Sequence, residues 1–147
     1  RPDIYDLARH AASLGLRVVM APCGALITPE TAALIKQSGI QRISISLDGA
    51  TAATHDKFRG VKGAFASALK GIAHAKNAGL EVQINTTVTR HNVSELQEIF
   101  RLTLELDAAA FDIFFLVPTG RGSALKEMEI ATTWPDPAIV GSCVPTP

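Results

Sequence analysis

The stretch Arg42 to Gly60, RISISLDGATAATHDKFRG, brings together the side chains of this 147-residue chain with the most chemical potential. Ile43, Ile45 and Leu47 alternate with Ser44, Ser46 and Asp48, the period of a strand with one apolar face and one face of hydroxyls ending in a carboxylate. In a parallel α/β fold, ligands bind at the C-terminal ends of the strands. Here that end opens through Asp48-Gly49 into a polar segment, read as a loop, that holds His55, Asp56 and Arg59. Asp48 can bond to nearby backbone amides and Gly49 tolerates positive φ, so both suit a turn. His55 and Asp56 resemble an acid–imidazole pair, for which a structural loop role and general acid–base chemistry stay open. Imidazoles and carboxylates also suit divalent metals, so Asp48, His55 and His91 are a possible ligand set for a barrel hydrolase or isomerase, without the spacing of a helix-borne metal pair.

The elements that must position these groups alternate along the chain. Asp3 can cap a helix in which Ile4, Leu7, Ala8, Ala11 and Leu14 recur at helical spacing and Gly15 is the stop. A helix as the first element implies a chain that starts in the middle of a fold. Arg17 to Ala21 reads as a short buried strand turned by Ala21-Pro22-Cys23-Gly24. Thr28-Pro29-Glu30 starts a second helix, which Gly39 stops. After the strand at Ile43 to Leu47, Phe65, Ala68, Leu69, Ile72 and Ala75 mark a helix from Ala64 to Ala78.

Glu81 to Val88 predicts a strand with Val82, Ile84 and Thr86 on one face and Gln83, Asn85 and Thr87 on the other. Asn92 or Ser94 can cap a helix carrying Leu96, Ile99, Phe100, Leu102 and Leu106. Phe111 to Val117 (FDIFFLV) is apolar on both faces, as expected of a parallel strand covered on each side. Four strands alternating with helices through short connections predict a parallel sheet with right-handed crossovers, either part of a barrel or a doubly wound sheet. From Lys126 onward the pattern fails, so residues 126–147 read as an irregular tail after a domain at 1–125.

Composition narrows the function classes. Fourteen basic and fourteen acidic residues balance to a formal charge of zero, which gives no footprint for nucleic acid or an anionic membrane. No apolar run approaches the roughly 20 residues that cross a bilayer, and no charged-then-apolar leader opens the chain, so a cytoplasmic protein acting on small molecules is expected. Two cysteines, Cys23 and Cys143, lie far apart, too few for a disulfide framework or a closed metal site.

The order S-L-D-G, spacer, H-D, R-G at Ser46 to Gly60 resembles the fourth-strand signature of radical S-adenosylmethionine (SAM) enzymes, particularly the branch with a C-terminal accessory-cluster (SPASM) domain. The resemblance runs from Arg1 to about Leu125. It takes in a third strand ending at Ala21-Pro22-Cys23-Gly24, a fifth with Asn85-Thr86-Thr87, and a sixth ending Leu116-Val117-Pro118-Thr119-Gly120-Arg121-Gly122. The closing P-T-G-R-G is most similar to haem-modifying members, including haem d1 biosynthesis proteins. The resemblance implies a partial (β/α) barrel in which the four strands are the third to sixth of six.

It also implies a chemistry. In this family SAM chelates a [4Fe-4S] cluster whose electron cleaves it to methionine and a 5'-deoxyadenosyl radical, with an electron donor such as flavodoxin or ferredoxin and a small-molecule or peptide substrate. Ser46 matches the serine that bonds the ribose or carboxylate end of SAM. Arg59 matches the arginine whose planar fork meets the methionyl carboxylate. Asn85 stands where a polar group meets the ribose, Leu116 and Val117 where the last strand contacts adenine, and Asp48 lies within the same cofactor-binding set. Cys23 replaces the asparagine of a common T-N-G. The C-x-x-x-C-x-x-C loop and the G-G-E-P strand end of the family would both precede Arg1, so an incomplete core that is inactive alone is expected. A SAM-binding remnant without catalysis is the alternative.

Overall fold

A computed structural model describes residues 1–117, together with the single positions 127 and 129. The chain winds through α1 (Ile4–Ser13), β1 (Val19–Met20), a 3₁₀ turn at Gly24–Leu26, α2 (Pro29–Gln37), β2 (Arg42–Ser46), α3 (Ala52–Arg59), α4 (Ala64–Asn77), β3 (Glu81–Val88), a second 3₁₀ turn at Val93–Glu95, α5 (Leu96–Glu105) and β4 (Ala110–Phe115). The strands form one sheet in the order β1-β2-β3-β4, and every pair is parallel. Sequential order and parallel pairing are what short helical crossovers produce.

The register follows the alternation in the sequence. Ile43 pairs with Val82 and Ile45 with Ile84, which places these side chains on one buried face, while Ser44 pairs with Gln83 and Ser46 with Asn85 on the other. Helices cover the apolar face: Ala32 and Ile35 of α2, Ala68, Ile72 and Ala75 of α4 and Ile99 of α5 are all buried. Burying an aliphatic side chain of this size removes about 1.5–3 kcal/mol worth of apolar surface from water, so this layer is the main support of the fold.

One contact in that layer is closer than side chains would permit. Gly71 of α4 lies directly on the backbone of Gly24, whose own Cα faces Ile45 of β2 and Ala68 of α4. The first 3₁₀ turn is thereby clamped between helix and sheet. His74 Nδ1 meets the Ile27 carbonyl at 2.7 Å beside it.

Helix ends follow local chemistry. Thr28 and Thr31 form a reciprocal capping box at α2, with Pro29 in the first turn, a cap of about 1 kcal/mol. Asp3, expected to cap α1, makes no such bond, because Arg1 holds its carboxylate through Nε at 2.6 Å and Nη2 at 2.8 Å. The segment expected to be a polar loop is helix α3. Thr51 caps it by accepting the Thr54 amide, and Gly60, at φ +67°, ends it.

Two strand expectations need correction. β1 is only two residues long, against the five read from the sequence. Among the described residues nothing covers β4 on both faces, since Ile113, Phe114, Phe115 and Val117 are all exposed by 42% or more. The expected boundary at 125/126 and the P-T-G-R-G segment lie outside the described residues. No helix among the described residues is long and apolar enough to cross a membrane.

Candidate cofactor-binding site

The uncovered face of the sheet carries polar rungs. At its lower end Arg42 faces Glu81, with Arg42 Nε 2.8 Å from the carboxylate. Above lie Ser44 and Gln83, then Ser46, Asn85 and Asp112 in register across β2, β3 and β4. Ser46 and Asn85 are half-buried. Gln83 Nε2 donates to Asn85 Oδ1 and to Asp112 Oδ2, each at 2.8 Å, tying the two strands together across the row. The bottom of this face is closed by an ion pair, and its middle is lined with uncharged hydrogen-bonding groups and one carboxylate.

Asp48 stands at the top of the row and is fully buried. Four parts of the chain converge on it. Its Oδ1 accepts the Thr87 amide at 2.8 Å, its amide donates to His55 Nδ1 at 3.0 Å, and its carbonyl accepts from Asn92 Nδ2 at 2.9 Å. Its other oxygen, Oδ2, forms an ion pair with Arg59 Nη2. Among the described residues no N–H meets Oδ2 in hydrogen-bond geometry, so Arg59 is its one polar partner. The turn bonds expected of Asp48 are instead bonds across strands, and they put its carboxylate behind Arg59.

Arg59 is the last residue of α3, held from behind by Asp48 while its side chain remains 38% exposed. A guanidinium has five N–H donors, so one contact with Asp48 leaves others for an anion above the strand ends. Gly49 is needed for space: a Cβ there would lie 2.6 Å from the His55 amide and 2.8 Å from Thr54 Cβ. Its φ is not in the positive range, which corrects the reason given for this glycine.

His55 is buried, against the rim of Phe65 at 5.8 Å between ring centroids. Accepting the Asp48 amide on Nδ1 requires the neutral ring, with the proton on Nε2. Burial pushes its pKa down, against the pull of Asp48, with Arg59 adding to the depression. Because the folded value lies below the ordinary one, the unfolded chain takes up a proton that the native state excludes as pH falls below about 6.5. The contribution of His55 to stability is thus full above that pH and lost below it. Urea midpoints are expected to be flat between pH 7 and 8 and to decline toward pH 5.5, and His55→Gln, which keeps an acceptor but cannot titrate, is expected to flatten that decline.

Asp56 is not the partner of an acid–imidazole pair. Its two oxygens accept the Phe65 amide at 2.8 Å and the Gly63 amide at 2.6 Å, capping α4 from a distance and holding its carboxyl below the usual range. His91 Nε2 donates to the Thr54 carbonyl at 3.2 Å. His55 Nδ1 and His91 Nε2 are both engaged with the backbone, and Asp48, His55 and His91 do not come together as a ligand group. Among the described residues no group of three His, Cys, Asp or Glu could hold a metal ion.

Two functional supports were not read from the sequence. Glu95 reaches from the second 3₁₀ turn to accept the Ala50 amide at 3.0 Å and the Thr54 hydroxyl, fastening the entry to α3. Asn92, expected to be a helix cap, is buried and spends its side chain on Thr89, Asp48 and Thr87. The pattern Asn92-x-x-Glu95 resembles a capping box, but its carboxylate serves α3 instead of its own helix. Leu116 is half-buried, with its amide 3.4 Å from the Val88 carbonyl, and Val117 is exposed.

A wound parallel sheet with helices on one face, a polar row on the other and Arg59 beside its strand ends is a segment of an α/β barrel. The sequence profile of the Radical SAM superfamily matches residues 1–103, and the chain belongs to that superfamily. The AdoMet-dependent heme synthase of Nitratidesulfovibrio vulgaris is 52% identical over 131 residues, covering 89% of this chain and 36% of its own length. The protein of the same name from Methanosarcina barkeri is 48% identical over 131 residues, covering 89% of this chain and 38% of its own. The chain therefore spans little more than a third of these curated relatives. The structure of native anSMEcpe with bound AdoMet superposes with a TM-score of 0.64 at 16% identity, covering 79% of this chain and 33% of that one, and supports the partial barrel.

The family uses SAM and a [4Fe-4S] cluster. The residues present fit the first: a half-exposed guanidinium backed by a buried carboxylate, with a hydroxyl and an amide on the adjacent row, suits a zwitterionic, hydroxylated ligand. They do not fit the second. A cluster takes several converging thiolates, and this sequence has two cysteines, of which Cys23 is exposed and free.

Proposed function

We propose that this chain is the SAM-holding part of a radical SAM enzyme, of the SPASM-type branch, that modifies an iron tetrapyrrole in haem biosynthesis. The observation that carries the reading is the Arg59–Asp48 pair at the head of the row Ser46, Asn85, Asp112. Arg59 takes the methionyl carboxylate, Ser46 and Asn85 bond the ribose end, and Leu116 and Val117 lie against adenine. The names of the relatives support the tetrapyrrole substrate. SAM, when bound, would supply the 5'-deoxyadenosyl group of the radical chemistry. The role of these residues is to bind and orient SAM. A cytoplasmic setting and a flavodoxin- or ferredoxin-like reductant belong to the same reading.

Titration calorimetry tests the SAM site. Wild-type protein is expected to bind SAM saturably, and Arg59→Ala to weaken it by about tenfold or more, the scale of one charge-assisted hydrogen-bonded pair. Decarboxylated SAM, which offers Arg59 no carboxylate, is expected to bind wild type and variant alike. Equal loss for both ligands would refute the assigned contact, and absence of saturable binding would refute the site.

A further inference from the structure

We propose that Gln83 is a positioning residue that sets the polarity of the lumen row, and that Asp112 is a further ligand-binding group of that row. The proposal deepens the SAM-site reading and depends on it. Gln83 uses both hydrogens of Nε2, one on Asn85 Oδ1 and one on Asp112 Oδ2. This leaves a definite pattern. With its carbonyl oxygen occupied, Asn85 has its amide N–H groups to offer, and Asp112 keeps its second oxygen as an acceptor. Neither atom has a partner among the described residues.

Geometry makes this pattern consequential. Ser46, Asn85 and Asp112 are register partners on three adjacent strands, spaced by about 4.8 Å per strand. The row thus presents a hydroxyl, an N–H donor and a carboxylate acceptor in that order. Donor beside acceptor suits a ligand bearing neighbouring hydroxyls, each of which can give one hydrogen bond and take another. An Asn85 amide turned the other way would place two acceptors side by side, so that both hydroxyls would have to donate and neither ligand oxygen would receive a hydrogen bond from this pair. Gln83 excludes that orientation, because its own N–H needs the Asn85 oxygen. Of the other charges on the row, Arg42 and Glu81 neutralise each other below it, and Arg59 and Asp48 pair at its head.

Three variants test this with SAM as the probe, by calorimetry and by thermal melting. Gln83→Leu keeps the volume but frees the Asn85 amide to turn, and is expected to lower SAM affinity about tenfold while the fold is retained. Asp112→Asn is expected to lower it by a similar factor. The double variant Gln83→Glu with Asp112→Asn rebuilds the bridge with every hydrogen bond reversed, so it is expected to restore the melting temperature but not the affinity. A purely structural bridge would recover both together, and that result, or unchanged affinity in Gln83→Leu, overturns the proposal while leaving the SAM site in place. Wild-type protein that does not bind SAM overturns the site reading and this proposal with it.

Discussion

Gly71→Ala is expected to be the most damaging single methyl addition in the helical layer. Its Cβ would lie 2.0 Å from the Gly24 carbonyl oxygen and 2.9 Å from the carbonyl carbon. Both are backbone atoms, so no rotamer change relieves the clash. Nor can the 3₁₀ turn retreat, since Gly24 already sits so near β2 that a Cβ on it would lie 2.8 Å from Ile45 Cγ2. Helix α4 must therefore lift away from the sheet and loosen Ile72 and Ala75. Alanine is favoured over glycine within a helix by about 1 kcal/mol. Overpacking costs about 1–3 kcal/mol or more, and a backbone contact this short puts the case at the upper end. Urea unfolding is expected to show a net loss of about 2 kcal/mol or more, with Lys70→Ala, an exposed change on the same helix, nearly silent. Stability equal to wild type would mean that α4 and the turn do not touch.

Asp48→Ala is expected to come second, and to act on stability and binding at once. The change leaves the part-buried Thr87 amide without its acceptor and removes the carboxylate behind Arg59. An unsatisfied buried amide costs about 1–3 kcal/mol. Arg59 is exposed enough to find water, so the broken ion pair adds little to that figure. The net loss should be about 2–3 kcal/mol, a fall in melting temperature of roughly 5–10 °C for a domain of this size. Asp48→Asn retains an oxygen for Thr87, so it should keep most of the stability while losing the hold on Arg59. Separating the two variants by melting while both bind SAM poorly is the expected outcome. If Asp48→Asn bound SAM as wild type does, Arg59 would not need its buried partner.

The alternation of Ile43, Ile45 and Leu47 with Ser44, Ser46 and Asp48 made the faces of β2 legible, and the same held for Glu81 to Val88 on β3. A period of two in a sheet buried on one face leaves little choice of register. The capping box at Thr28 was visible for the same local reason. Helix α3 was not, because AATHDKFR offers one large apolar side chain and no apolar stripe. Its signals were at its ends, in Thr51 and Gly60, and its support comes from Glu95, 41 positions beyond Thr54. Asn92 was misread in a related way, since its type favours local caps and its amide is used here on Asp48, 44 positions earlier. Residue type disclosed the bonding capacity of these side chains, while their partners were fixed by topology.

The sequential strand order also has a kinetic side. Each strand pairs with the one before it, so a chain emerging N-terminus first can add one strand and helix at a time to an existing edge. Asp48 does not share in that convenience. It is made early, yet the Thr87 amide lies 39 residues later and the Asn92 side chain 44 residues later. Until β3 has docked, a carboxylate meant for the interior must stay in water, and β2 cannot close over it. The long loop that this closure demands makes the step slow relative to the local helices. The residue that holds the head of the polar row is thus also a checkpoint in its assembly, and the site is completed only when the third strand is in place.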